Sequence, residues 1–174
     1  MQRSFYFQVE PKTYWQLAGI VFLFVASFFT LLSIENNNRI ITDEFLSEKA
    51  LLTGIMYKVE DATGIDGNEE KYYSFVTSDT NLVRLKMKKE NRTILTRMQQ
   101  EIHFLASKES RLVFSLISLL YIMLCWLILR KHSLGNLLHV LAFTVCSYYS
   151  FSICQKWVDI RQATEIISLY LNKL

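Results

Sequence analysis

LVFSLISLLYIMLCWLIL, residues 112–129, contains no Asp, Glu, Lys or Arg. As an α-helix this stretch measures about 27 Å, close to the thickness of a bilayer's hydrocarbon core. Two further stretches, 14–34 and 134–154, are equally free of charge. Together they predict an α-helical integral membrane protein with three transmembrane helices, at 14–34, 111–130 and 137–154. The apolar run from Leu17 to Ile34 is longer than a cleaved leader's apolar region of about 7–15 residues, and no small-x-small site follows it, so the first span is expected to be retained. Tyr14, Trp15, Trp126 and Trp157 stand near span ends, where an aromatic belt belongs.

Working upstream, Leu95, Met98, Ile102 and Leu105 recur at three-four spacing, and neither Gly nor Pro interrupts positions 91–130. One helix is therefore expected from about 91 to 130, its first half (91–110) projecting as a stalk. Downstream, Trp157, Ile160, Thr164, Ile167, Leu171 and Leu174 keep the same spacing, which predicts an amphipathic C-terminal stalk helix over 155–174. With a turn at 131–136, the two long helices form an antiparallel hairpin, and both stalks emerge on one side to pack along their apolar seams. The competing arrangement is a pair of surface helices lying flat on lipid headgroups.

Residues 35–110 form the extramembrane α+β module. Ile55, Tyr57 and Val59 alternate with Met56, Lys58 and Glu60; Tyr73 and Phe75 continue the pattern; Val83, Leu85 and Met87 alternate with Arg84, Lys86 and Lys88. Turn residues separate these runs at 61–68, which includes Asp66-Gly67, and at 78–81. The expectation is a three-stranded β-meander at about 51–88. So small a sheet needs a helix, the membrane surface or a partner to cover it. Residues 1–13, with Phe5, Phe7 and Val9 alternating, are read as an interfacial tail.

Composition supports this layout: 51% hydrophobic and 20% charged residues fit membrane spans plus one polar module. A net charge of +3 without a long basic block excludes nucleic acid as the expected partner. The three cysteines, Cys125, Cys146 and Cys154, all lie in or beside apolar stretches, which excludes a disulfide framework or a Cys-based zinc site in the module. Orientation by basic residues is nearly balanced. The basic turn with Arg130 and Lys131 favours a cytoplasmic N-terminus and an extracytoplasmic module; a cytoplasmic module is the alternative.

The sequence carries few residues arranged for chemistry. His103, His132 and His139 form no metal-binding pair; there is no phosphate-binding Gly-rich loop, no Gly-x-Ser-x-Gly and no Cys-x-x-Cys. Asp61, Asp66, Glu69 and Glu70 lack calcium-loop spacing and read as turn solubility. No catalytic residue, metal site, cofactor or small-molecule substrate is inferred, so the chain is expected not to be an enzyme. Asn91-Arg92-Thr93 matches the N-glycosylation pattern.

Three features are candidate sites. Ala142, Cys146, Ser150 and Cys154 recur every four residues as a small-residue ridge for close helix packing, within the chain or with a second copy. His139 is a candidate intramembrane polar site, read first as a neutral imidazole bonded to a neighbouring helix. Arg84, Lys86 and Lys88, with Lys89 adjacent, form an outward basic row, a candidate contact for a protein partner or lipid.

The segment from Leu52-Thr53-Gly54-Ile55 to Tyr72-Tyr73-Ser74-Phe75-Val76 resembles small bacterial membrane proteins that carry a β module after their first span. It lacks the proline that follows the Tyr pair in that pattern, and it supports no family assignment. The expected function is a non-enzymatic membrane-anchored sensor, adaptor or complex subunit, of the exclusion, immunity or defence type, in a bacterial inner membrane. It would act through protein–protein contacts of the module, as a homo-oligomer or within a membrane complex. The alternative is a small homo-oligomeric channel or pore-forming effector.

Overall fold

The computed structural model describes residues 11–42, 45–63, 69–77, 80–130 and 136–173. Residues 1–10 of the expected 1–13 tail, positions 43–44, the expected turn residues 64–68 and 78–79, the expected helix–helix turn at 131–135 and position 174 lie outside the described residues, as does the side chain of Val83, while 11–13 belong to the first helix.

Helix α1 spans Pro11–Asn38 and starts on the proline, whose fixed φ and missing N–H suit a first helical turn. It passes without a loop into strand β1, Arg39–Ile41. Strands β2 (Phe45–Lys49), β3 (Met56–Thr63), β4 (Glu69–Thr77) and β5 (Thr80–Lys86) follow, then helices α2 (Arg92–Leu129) and α3 (Asn136–Leu171). All neighbouring strands are antiparallel, and their order in the sheet is the order of the chain.

The three-stranded meander expected from sequence is thus corrected to five strands. Strand β1 has only three residues, too few to show a period. Strand β2, Phe-Leu-Ser-Glu-Lys, does alternate, but Glu48 occupies an inward position where an apolar residue was looked for. Opposite Glu48 on β3 is Tyr57, and opposite Tyr57 on β4 is Phe75, both buried.

The sheet's inner face is covered by the first half of α2. Leu95, Met98, Ile102 and Leu105 are fully buried, in one cluster with Tyr57, Tyr73 and Phe75 from the sheet and Ile160, Ala163 and Ile167 from α3. The module is therefore three layers, sheet on α2 on α3, and α2 is its centre. Leu171 and Tyr170 pack at the edge of the same core. Burying these aliphatic side chains, at about 1.5–3 kcal/mol each, offsets the ordering of a sheet too small to stand alone.

Both α1 and α2 are long and apolar enough to cross a membrane. They run antiparallel, with Phe24 against Tyr121 and Phe28 against Phe114 at ring-centroid distances of 5.4 Å each. The Ser27 and Tyr121 hydroxyls are 3.0 Å apart. Helix α3 packs along the whole of α2, from His139 beside Trp126 to the module core. Helices α1 and α3 each pack on α2 and scarcely on each other.

Candidate functional site

The junction between the module and the apolar helix halves carries the molecule's most constrained polar groups. Glu109 sits on α2 three residues before the charge-free stretch and is fully buried. Its carboxylate accepts the backbone N–H of Leu52 and, at 3.1 Å, that of Thr53. Those amides belong to the turn between β2 and β3, which closes through Gly54 N–H to the Ala50 carbonyl at 3.2 Å and Ala50 N–H to the Ile55 carbonyl at 2.8 Å. Gly54 has φ 70°, a left-handed conformation open to glycine at little cost. A buried carboxylate is tolerable only where fixed donors replace its water, and two converging amides do so. Glu109 thus clamps a sheet turn onto α2.

A second cluster lies on the sheet's inner face. Glu48, 7% exposed, accepts from His103 Nδ1 at 2.8 and 3.0 Å and from the Tyr57 hydroxyl at 3.2 Å. This is why β2 can point a carboxylate inward. Burial, with the Glu48 charge second, pushes the Tyr57 phenol up to about 12. Since a carboxylate only accepts, His103 Nδ1 carries the proton, and Nε2 remains for other partners. The cluster opens on a polar cleft of about 110 Å³ between the end of α1, β1–β2 and α2, lined by Glu35, Asn38, Arg39, Lys49, Ser107 and Ser110 among others. Through these contacts the Glu48–His103 pair joins β2 to α2.

The residues singled out from sequence are not gathered in one place. Arg84, Lys86, Lys88 and Lys89 are exposed. Across the outer sheet face Arg84 bonds Glu60 at 2.9 Å and lies over the Tyr72 ring at 4.9 Å, while Lys86 bonds Glu70. Lys58 completes the ladder on Glu60 at 2.7 Å. The Lys58 contact, then the nearby charges, hold the Glu60 carboxyl below its usual range; Lys86 and Tyr72 do the same for Glu70. Two members of the row, Arg84 and Lys86, are therefore answered within the sheet.

His139 Nδ1 accepts from Trp126 Nε1 at 3.2 Å, joining α3 to α2. The small-residue ridge divides. A four-residue step overshoots the 3.6-residue turn, so Ala142 and Cys146 are half-buried while Ser150 and Cys154 turn outward. The Ser150 hydroxyl donates to the Cys146 carbonyl at 2.8 Å. At the sequon, Asn91 is committed to the β5–α2 turn: its Oδ1 accepts from Lys88 N–H at 2.7 Å and its Nδ2 donates to the Lys86 carbonyl at 3.0 Å.

Sequence reasoning missed Glu48, Glu109 and the His103 contact, because each depends on a partner about 55 residues away. The one local signal was a lone carboxylate interrupting an otherwise apolar helical face at position 109, between Leu105 and Leu112. Compared with protein-family models, with curated proteins and with solved structures, the chain has no match in any of the three.

Proposed function

We propose that this chain is a non-enzymatic membrane-anchored sensor, adaptor or complex subunit that crosses the bilayer three times. In this reading its sheet-and-helix module presents a surface to another protein. The carrying observation is the unbroken course of α2. One helix forms the centre of the module core and continues, past the buried Glu109 clamp, into an apolar stretch. A displacement of the module is thereby coupled to the apolar helices through a rigid rod rather than a linker.

The favoured contact surface is the outer side of α3 in the module, where Val158, Ile166 and Leu169 are exposed. The basic row is the weaker candidate, since Glu60 and Glu70 already answer two of its four cations. We place the protein in a bacterial inner membrane, N-terminus cytoplasmic and module outside, acting as a homo-oligomer or complex subunit. A pore lined by α3 has less support: the Thr144 and Ser150 hydroxyls are spent on their own helix carbonyls.

The test is cross-linking and co-purification in mild detergent. Changing Val158, Ile166 and Leu169 to Ser should abolish the retained partner. Changing Arg84, Lys86, Lys88 and Lys89 to Gln should leave it in place at low and high salt. The opposite pattern moves the contact to the sheet, and ion flux into vesicles holding only this chain favours the pore.

A further inference from the structure

An apolar groove of about 480 Å³ runs along α2 between α1 and α3. On α2 it is lined by Phe114, Ser118, Cys125 and Leu129 among others, and on α3 by Ala142, Val145 and Tyr149. Both faces lead to a cation at the module end. One step of three from Phe114 along α2 reaches Arg111, and two turns from Tyr149 along α3 reach Lys156. The hydrogen bonds bring these two positions together. Lys156 Nζ donates to the Ser115 hydroxyl, which donates to the Arg111 carbonyl at 2.8 Å.

Charge at this end is left unbalanced. Lys108 is answered by Asp159 at 2.6 Å, and Glu109 is consumed by the sheet turn. Among the described residues, no carboxylate lies within 4.0 Å of Arg111 or Lys156. Burial, then the like charges of Arg111 and Lys108, lower the Lys156 ammonium's pKa. Two cations, about one and two helical turns beyond the groove's lining at Phe114 and Tyr149, lack an anion that is itself attached to something apolar. Within the groove, the Ser118 hydroxyl is 4% exposed and has no hydrogen-bond partner among the described residues.

We propose that this groove binds one anionic phospholipid, with its phosphate between Arg111 and Lys156 and an acyl chain laid along α2. The proposal rests on the membrane-spanning reading given above. Positions 114–129 extend about 22 Å along the helix, and one leaflet's chain region is about 15 Å deep, so a single chain fits. A phosphate at that height meets the cations where headgroups lie, and basic pockets between membrane helices are suited to such headgroups. An apolar helix from a second copy would fill the groove but leave both cations unanswered.

The experiment uses the full chain purified in mild detergent. It is mixed with micelles of equal phosphatidylglycerol and phosphatidylcholine, washed, and read for retained lipid by native mass spectrometry. Wild type should keep one phosphatidylglycerol per chain. R111Q with K156Q should weaken retention about 30-fold, the effect of two lost basic contacts. A142W, which fills the groove and leaves both cations, should also lose the lipid, while R111K should keep it. Glycerol phosphate should fail to displace it. Equal retention of both lipids by wild type, unchanged retention in the double and Trp variants, or full displacement by glycerol phosphate would overturn the proposal. Alkaline carbonate extraction separates the two readings: release of the chain from membranes defeats the spanning reading, whereas a chain that stays but shows no lipid preference defeats only the lipid site.

Discussion

At position 109 a carboxylate is fully buried, and two backbone amides face it. Glu109→Ala leaves both amides and a cavity unsatisfied and should lower module stability by about 2–4 kcal/mol, whereas Glu109→Gln, which keeps one acceptor oxygen, should cost less. Thermal melting in detergent, read as protease resistance of the module, measures both. Tyr57 gives a second expectation, in alkali. Its folded-state pKa of about 12 exceeds the ordinary 10.0, so both states hold the proton below pH 10. Between those values the unfolded chain releases the proton first, and stability falls as pH rises, by an amount on the order of 2 kcal/mol in total. Tyr57→Phe should flatten that decline between pH 10 and 12 in a pH series of melts. At position 109 the sequence shows only a carboxylate interrupting an apolar helical face, and for Tyr57 it shows nothing beyond an inward strand position; only the fold supplies the distant partners.

Among the elements, α2 is the one on which both the sheet and α3 depend. Ile102 is fully buried on it and Ile167 nearly so on α3. Placing Asp at either position buries a charge without a partner and should destabilise the module by about 3–5 kcal/mol. Arg161→Ala, at an exposed pair with Glu165 one turn away, should change the same melt by less than about 0.5 kcal/mol. Equal effects would mean the helices are not packed on each other. The seam was readable because three-four spacing of large aliphatics is a local pattern that only a helix brings to one face. The last three strands were readable for the matching reason, a period of two. Strands β1 and β2 were not, one being too short and the other carrying Glu48 inward. The edge of the sheet is thus also where its polar cleft lies.

For the whole molecule, the three-crossing topology proposed above would put the module and the end of α3 on one side of the membrane and position 130 on the other. Single cysteines at Lys89 and Asn172, in a background with Cys125, Cys146 and Cys154 replaced by Ser, should label together with a membrane-impermeant thiol reagent. A cysteine at Arg130 should label only from the opposite side. Labelling of Arg130 and Lys89 positions from the same side removes one crossing. The mirror-image pattern keeps three crossings and reverses the orientation.

The order of the strands bears on the timing of synthesis. Because the sheet follows the chain, each strand as it is made finds its neighbour already present, joined by a hairpin or a short turn. Such short-range pairings close quickly. Yet the helix that covers them, α2, comes after all five strands. A nascent chain from which only residues up to 90 have emerged would hold all five strand segments with Tyr57, Tyr73 and Phe75 uncovered by α2. At roughly 5–20 residues per second, the next twenty residues take about one to four seconds to make. During that interval the half-built module is a substrate for chaperones and proteases, and rare codons placed just after position 90 would lengthen the exposure.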